Sequence, residues 1–353
     1  MQNPFTTTFS KIPDSTYIPT EQIWEIIENF NYDMPSESVY KITGVRGSGK
    51  TVQLAKIETE LNNENRKKEG WIVCRLSPTR DMLQQFVSFL YKEGLSDEKT
   101  GRQITSLPAT VTGIDDSMGL SQAEQRGFFD IGVELDAMLE RARIQGRKIL
   151  IGIDEITRAP ECVAFASEFG KWLRAGYAVY LVCTGLYENI EQLYNVKNLT
   201  FFRRATTVMT SPLPVVQMAE MYQNQLKMPE EEALSYAKST KGYAYAFQEL
   251  GKLLFQKHTA DIEDVIEQLK ADLYSYAYEK IWEELSEGDR SLVRLLLEKE
   301  EYEHQEVVAV MEQPKTYAVH RDRLMKRGVL ARQHDHISLS LPFFNEYVAE
   351  YGG

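Results

Sequence analysis

An octapeptide near the start of the chain, GVRGSGKT at residues 44–51, restricts the fold more than any other feature. It satisfies the pattern G-x-x-x-x-G-K-[ST] at each fixed position. Glycines in such a loop let backbone N–H groups curl around an oxyanion, the lysine brings a mobile positive charge to it, and the threonine offers a hydroxyl to Mg²⁺. The predicted phosphate-binding residues are Gly44, Val45, Arg46, Gly47, Ser48, Gly49, Lys50 and Thr51.

The segments on either side of this loop show the periodicities of a strand and a helix. Residues 39–43 form a short apolar run that is typical of a buried strand, and residues 52–58 continue as a helix. A helix that starts at the loop points the positive end of its dipole at the phosphates. Strand–helix alternation continues through the core, which predicts an α/β fold built on a parallel sheet with right-handed crossovers.

A second apolar run, KILIGI at residues 148–153, ends in the acidic pair Asp154 and Glu155. A continuous run of this kind indicates a strand that is buried on both faces. From the end of that strand Asp154 can reach the shell of a Mg²⁺ ion, while Glu155 can accept a proton from an attacking water. Beside a phosphate loop, the pair favours hydrolysis over phosphoryl transfer to another acceptor.

Composition sets further bounds on the protein. A length of 353 residues suits two or three domains, and the 43% of hydrophobic residues is ordinary for a globular protein. No apolar run approaches the ~18 residues of a membrane span, and no signal-peptide pattern is present, so we expect a cytoplasmic protein that does not contact a membrane. Cys74, Cys162 and Cys183 are scattered, which predicts buried thiols in a reducing compartment. The net charge of −12 argues against nonspecific coating of nucleic acid.

Changes of pattern along the chain predict four segments. They are an N-terminal arm and helix (1–35), a P-loop core (36–210), a helical lid (211–280) and a winged-helix domain (281–353). Within the core, residues 94–120 are rich in Gly, Ser, Thr and Asp and form an insertion, which is either a partner-binding element or a long connection. Ser121 and Glu124 fit a capping box for a helix that runs from Ser121 to Gln145.

Several positions near the end of the core and in the lid allow two interpretations. Thr184 ends a predicted strand and can touch the terminal phosphate or the attacking water, or it can cap the next helix. Arg203 and Arg204 precede the last strand of the core, where they can reach the phosphate of a neighbouring subunit or form surface ion pairs. In the lid, the aromatic residues of 241–251 are expected in the core rather than on a base-stacking surface.

The last segment shows three amphipathic helices, at 286–299, 305–311 and 316–327, followed by a strand–turn–strand pattern over 329–341. This order is typical of a winged helix–turn–helix. The third helix region has Asp322 as its single acid, against the cations Lys315, Arg321, Arg323, Lys326 and Arg327. These cations suit the phosphates and base edges of double-stranded DNA. In the other interpretation they are solvated and the domain contacts protein.

In this order along the chain, the motifs resemble those of the AAA+ and STAND groups of P-loop ATPases. The resemblance is to the origin-recognition-like branch and to ATPases labelled only as ATP-binding proteins, and it covers roughly residues 36–350. It implies ATP as the nucleotide. The site residues that it implies are Lys50 and Thr51 on phosphate and Mg²⁺, Asp154 holding the metal through water, Glu155 as base, Thr184 as sensor 1, and Arg203 or Arg204 as arginine finger.

One departure from the resemblance concerns the lid. Residues 241–244 hold no arginine where origin-recognition ATPases carry the sensor-2 arginine, and they lack the proline of the STAND Gly-x-Pro motif. Lys241 is the one cation in that segment. Nucleotide sensing by the lid must therefore use another residue if it occurs.

The sequence thus predicts an ATP-binding molecular switch that depends on Mg²⁺ and hydrolyses ATP slowly to ADP and phosphate. By this prediction ATP packs the lid against the core and promotes self-association, and the winged helix docks on double-stranded DNA. The alternative is a STAND-like signalling or scaffold ATPase whose winged helix and insertion bind protein partners. A nucleotide-binding protein with negligible hydrolysis is a third hypothesis.

Overall fold

The structure is a computed structural model that describes residues 2–8, 11–96, 130–197, 199–256 and 262–353. The predicted insertion at 94–120 lies outside the described residues except for its first three positions. The capping residues predicted at Ser121 and Glu124 also lie outside them.

Eight strands form two sheets. They are β1 (Val39–Thr43), β2 (Trp71–Leu76), β3 (Lys148–Ile153), β4 (Val179–Gly185), β5 (Thr206–Met209), β6 (Tyr302–Glu303), β7 (Leu330–Gln333) and β8 (His336–Leu339). The first five strands form one sheet in the order β2-β3-β4-β1-β5, and β2, β3 and β4 run parallel to one another. The last three form an antiparallel sheet in the order β6-β8-β7.

The helices fall into three groups along the chain. Those of the core are α1 (Glu21–Asn31), α2 (Lys50–Leu61), α3 (Glu64–Lys68), α4 (Met82–Lys92), α5 (Ile131–Ile144), α6 (Pro160–Arg174), α7 (Tyr187–Tyr194) and α8 (Thr200–Arg204). Those of the lid are α9 (Val215–Leu226), α10 (Glu230–Ser239), α11 (Ala244–Gln256), α12 (Ile262–Leu273), a π-helix (Tyr274–Tyr278) and α13 (Glu279–Glu284). Those of the winged helix are α14 (Glu287–Arg294), α15 (His304–Val310), a 3₁₀ turn (Pro314–Thr316), α16 (Tyr317–Arg327) and α17 (Phe344–Tyr351).

The fold class predicted from the sequence is confirmed: an α/β core with a parallel-sheet P-loop arrangement precedes a helical lid and a winged helix. The chain forms two compact units that do not follow the four predicted segments, whose boundaries stay a prediction. The first unit comprises Met1–Trp24, Thr43–Gln53 and Met209–Gly353, and the second comprises Glu25–Ile42 and Leu54–Val208.

The second unit is built around the five-stranded sheet. Its central strands are covered on both faces, since β4 is buried at every position and β3 at every position but the first. This burial explains their continuous apolar sequences. On one face of the sheet Phe30, Trp71 and Tyr180 pack edge to face or tilted, with ring centroids 5.2 to 5.8 Å apart.

The first unit has a core of its own, formed by the lid, the winged helix and the N-terminal arm. The arm lies along α11: Phe5 is buried against Tyr222 and Phe247, and the side chain of Gln248 accepts a hydrogen bond from the Thr6 N–H. A Cβ added at Gly251 would overlap the Phe5 ring. The glycine is therefore what allows the arm to lie against the helix.

Helix boundaries depart from the predicted ones where polar side chains cap the backbone. The helix predicted from residue 79 begins at Met82, because the Asp81 carboxylate accepts the Gln84 N–H. Likewise α5 begins at Ile131, since Asp130 has an extended backbone and its carboxylate accepts the N–H groups of Gly132 and Val133. A helix running without a break from Ser121 is therefore wrong.

The winged helix differs from its prediction in three places. Helix α14 ends at Arg294 instead of residue 299, because the N–H groups of Glu298 and Lys299 donate to the Tyr302 hydroxyl and not to helical carbonyls. Strand β6 and helix α17 were not predicted. Gly328 ends α16 with a φ of 76°, as a glycine after a helix C-terminus is expected to do.

The three cysteines are free and buried, as predicted. Burial raises the pKa of each thiol, that of Cys183 to about 12. The thiols are therefore protonated at neutral pH. Across the part of the chain that the structure describes, no helix has both the length and the apolar character needed to cross a membrane.

Candidate functional site

The phosphate loop follows β1 directly and leads into α2, which begins at Lys50. Gly47 and Gly49 have φ values of 78° and 88°, a left-handed conformation that favours glycine. The Lys50 ammonium donates to the carbonyl oxygens of Gly44 at 3.0 Å and Val45 at 2.9 Å. The lysine thus lies over its own loop at the positive end of α2, an arrangement that fits a bound phosphate.

A hydroxyl that the sequence did not single out approaches the loop closely. Thr210, just past β5, donates its hydroxyl hydrogen to the Ser48 hydroxyl at 2.8 Å. A Cβ at Gly44 would overlap the Thr210 hydroxyl, so this glycine is needed for the approach. The Thr210 N–H also donates to the Thr43 carbonyl at 2.8 Å, which fixes the entrance to the loop.

The lid segment 241–245 contacts the loop on its carbonyl side. The buried Tyr243 donates its hydroxyl hydrogen to the Arg46 carbonyl at 2.6 Å. The Tyr245 N–H donates to the Gly47 carbonyl at 3.1 Å. As predicted for the lid aromatics, Tyr243 lies in the hydrophobic core of the first unit.

Lys241 takes no part in this contact. Its ammonium donates to the Leu339 carbonyl of the wing at 3.2 Å, and burial lowers its pKa. Two further contacts join the loop to the winged-helix region: Arg46 pairs with Glu284 at 3.4 Å, and a Cβ at Gly328 would lie 3.3 Å from the Val45 nitrogen. The ion pair is exposed and contributes little, whereas the close backbone approach is specific.

In the second unit, Thr184 connects the two acidic residues that follow β3. Its side chain is fully buried, and its hydroxyl donates to a carboxylate oxygen of Asp154 at 2.5 Å. The same hydroxyl accepts the backbone N–H of Glu155 at 3.1 Å. Helix α7 is capped at Leu186 without a side-chain bond, so Thr184 does not serve as its cap.

Glu155 has a φ of 57°, which is a strained conformation for a residue with a side chain. The bond from its N–H to Thr184 is one interaction that holds this conformation. The second acidic position is thus fixed by its backbone, and its carboxylate is half-exposed or more.

A buried carboxylate lies beside β3 and was not predicted. Glu58 of α2 forms an ion pair with Arg75 of β2 at 2.7 Å, and a Cβ at Gly152 would overlap its carboxylate. Burial raises the pKa of Glu58, an effect that the bonds from Arg75 oppose and that the charge of Asp154 adds to. The glycine in KILIGI therefore makes room for the Glu58 carboxylate.

The arginine pair lies at the end of α8. Arg203 and Arg204 are both exposed, and among the described residues neither guanidinium has a hydrogen bond or ion pair. The fully buried Lys41 of β1 donates to the Phe202 carbonyl at 2.7 Å and to the Tyr194 hydroxyl at 3.1 Å. Lys41 thereby anchors the short helix that carries the pair.

Thr51 and Asp154, the predicted metal ligands, occupy the first turn of α2 and the position after β3. A threonine hydroxyl and a carboxylate are oxygen ligands of the kind that Mg²⁺ prefers. No group of three or more His, Cys, Asp or Glu side chains suited to a metal ion occurs among the described residues.

Three of the predicted DNA-binding cations make bonds within the chain. Arg323 donates to the buried carboxylate of Asp289 at 2.6 and 3.0 Å. Arg321 donates to Asp322 at 2.6 and 2.8 Å, and Arg327 donates to the Glu284 carbonyl at 2.9 Å.

The other two cations, Lys315 and Lys326, are exposed. The exposed surface of α16 also contains Val319, whose exposed fraction is 63%. This surface is therefore less basic than the sequence alone suggests.

Comparison with known proteins places this geometry within a class. No family model and no curated protein matches the sequence. Two similar solved structures are a Walker-type ATPase of Pyrococcus abyssi, with 11% identity and a TM-score of 0.60 over 96% of this chain and 98% of that chain, and the ORC2 protein of Aeropyrum pernix in ADPNP–ADP complexes, with 12% identity and a TM-score of 0.53 over 96% of each chain.

The chain has the fold of an AAA+ P-loop ATPase of the origin-recognition type. The likeness extends over nearly the whole chain and thus includes the lid and the winged helix. At this level of identity the likeness defines the fold, and the roles of individual residues must be argued from the site.

Proposed function

We propose that this protein is an ATP-binding switch that hydrolyses ATP to ADP and phosphate slowly, with Mg²⁺. The observation that carries the proposal is the phosphate loop, in which glycines in a left-handed conformation and Lys50 surround the positive end of α2. Such a loop binds the phosphates through backbone N–H groups and the lysine charge. The adenine base is proposed from the fold likeness.

The acidic residues of the second unit support hydrolysis. Thr51 and Asp154 would hold the Mg²⁺ ion, which when bound neutralises charge on the phosphates. Glu155 would accept the proton of the attacking water, and the Thr184 hydroxyl would keep Asp154 and the Glu155 backbone in a fixed relation. Thr184 acts here as a positioning residue.

The arginine pair would act on a second copy of the chain. A guanidinium used in this way must be exposed and unbound before assembly, and among the described residues Arg203 and Arg204 meet both conditions. ATP bound at one subunit would then promote self-association. We assign the protein to the cytoplasm as part of this proposal.

The test is equilibrium binding of ATP, followed by steady-state release of phosphate in the presence of Mg²⁺. Lys50→Ala should abolish binding, because the phosphates lose their main cation. Glu155→Gln should retain binding and stop hydrolysis, because the amide cannot accept a proton. If Glu155→Gln hydrolyses ATP like the parent, another residue is the base.

Two kinds of partner fit the winged helix. Double-stranded DNA would use the exposed Lys315 and Lys326, although three of the cations predicted for this role are engaged within the chain. A protein partner is favoured by the exposed apolar side chains of Val310 and Val319, each 63% exposed. In that second function the protein is a STAND-like signalling or scaffold ATPase.

A further inference from the structure

The phosphate loop has carbonyl groups as well as the N–H groups that receive an anion. Each peptide unit points its N–H and its C=O in opposite directions, so a loop that offers N–H groups to phosphate must satisfy its carbonyls elsewhere. Two consecutive carbonyls, those of Arg46 and Gly47, accept hydrogen bonds from the lid. The donors are the Tyr243 hydroxyl and the Tyr245 backbone N–H.

The bond from Tyr243 fixes one peptide plane in particular. The Arg46 carbonyl shares its peptide unit with the Gly47 N–H, which therefore points away from Tyr243. The hydroxyl is buried, and burial raises its pKa well above the ordinary value, so that it remains a donor. Gly47 and Tyr243 also require each other sterically, because a Cβ at Gly47 would overlap the tyrosine oxygen.

We propose that Tyr243 is a positioning residue that holds the phosphate loop from the lid and keeps the Gly47 N–H directed at the phosphates. This inference rests on the proposed function. The chain has no arginine at this point of the lid, and the neutral hydroxyl bonds to the loop backbone instead of to the ligand. A contact of this kind does not distinguish ATP from ADP, so its loss weakens both to the same extent.

The chain offers a matched control for the test. Tyr222 is also fully buried in the first unit, and its hydroxyl donates to a backbone carbonyl, that of Phe247, at 2.7 Å. Tyr243→Phe and Tyr222→Phe therefore remove the same atom and the same kind of hydrogen bond. Only the first removes a bond to the phosphate loop.

The first measurement is hydrogen exchange of the loop amides, residues 44–49, in the full chain without nucleotide. We expect faster exchange in Tyr243→Phe than in the parent, and no change there in Tyr222→Phe. The melting midpoints of the two variants should fall by similar amounts. Unchanged loop exchange in Tyr243→Phe would overturn the proposal, whatever the nucleotide affinities are.

The second measurement is the affinity for fluorescent mant-ATP and mant-ADP with Mg²⁺. Loss of one neutral hydrogen bond should raise both dissociation constants about fivefold in Tyr243→Phe and leave those of Tyr222→Phe within about twofold of the parent. Equal losses in both variants, or a loss for only one nucleotide, would also overturn the proposal. If the parent binds neither nucleotide while loop exchange still rises in Tyr243→Phe, the proposed function fails and the loop-holding role of Tyr243 stands.

Discussion

Arg323 donates two hydrogen bonds to one carboxylate oxygen of Asp289, whose side chain is fully buried. His320 lies 2.9 Å from the same oxygen, and the Arg323 guanidinium also donates to the Ser286 hydroxyl at 2.7 Å. The arginine therefore joins α16 to the start of α14. A cation that the sequence suggested for DNA instead stabilises the winged-helix domain.

Arg323→Ala should lower the free energy of unfolding, because it leaves the buried Asp289 carboxylate without its main partner. Arg323 is about a third exposed, so we expect a loss of about 1–3 kcal/mol, less than for a fully buried pair. Urea unfolding measures this change. The control, Lys315→Ala, alters an exposed cation and should change stability by less than about 0.5 kcal/mol. Equal effects of the two substitutions would contradict the structural role.

The pH dependence of stability should report the same pair. Burial raises the pKa of the Asp289 carboxyl, but hydrogen bonds from Arg323, His320 and Ser286 outweigh burial and leave that pKa below its ordinary value of 3.8. As pH falls, the unfolded chain binds the proton first, so the contribution of the carboxylate is complete above 3.8 and declines below it. We expect the stability difference between the parent and Asp289→Asn to follow this course in unfolding titrations. A decline already between about pH 7 and about pH 5 would mean that His320 governs the network.

Thr184→Val should reduce ATP turnover without abolishing nucleotide binding. Valine has nearly the shape of threonine but neither donates to Asp154 nor accepts from the Glu155 N–H. We expect kcat to fall roughly ten- to a hundredfold, as is common when a residue that orients a catalytic group is lost. Steady-state phosphate release measures kcat, and Thr184→Ser, which keeps the hydroxyl, should restore most of it. Equal kcat for the valine and serine variants would exclude the positioning role.

Binding to double-stranded DNA, if it occurs, should depend on Lys315 and Lys326. Fluorescence anisotropy of a labelled duplex over a salt series, with ATP, ADP or no nucleotide, measures it. Replacing both lysines by alanine should weaken binding to all sequences and reduce the steepness of the salt dependence by about two. Arg323→Ala is not a clean test, since it also destabilises the domain. No binding in any nucleotide state would favour the protein partner.

Local sequence patterns were sufficient to predict the sheet core and the loop. The residues 44–51 match a motif whose members are adjacent in the chain, and β3 shows a continuous apolar run. The order of elements predicted the winged helix. These features could be predicted because each depends on neighbours within a few residues, where periodicity and motif spacing carry information.

The contacts that position the site could not be predicted in this way. Tyr243 and Arg46 are 197 residues apart, and Thr210 and Ser48 are 162 residues apart. Nothing in the local pattern of either partner marks such a pair. Counting charges along α16 failed for a related reason, because the partner of Arg323 lies 34 residues away on another helix.

The N-terminal arm has a consequence for synthesis of the protein. Phe5 and Thr6 pack against α11, whose residues are made more than two hundred positions later. At typical rates of translation the arm must wait roughly 10 to 50 s on the ribosome before its binding site emerges. During that interval the Phe5 side chain is exposed, so a chaperone that recognises apolar N-terminal segments would have time to engage the nascent chain.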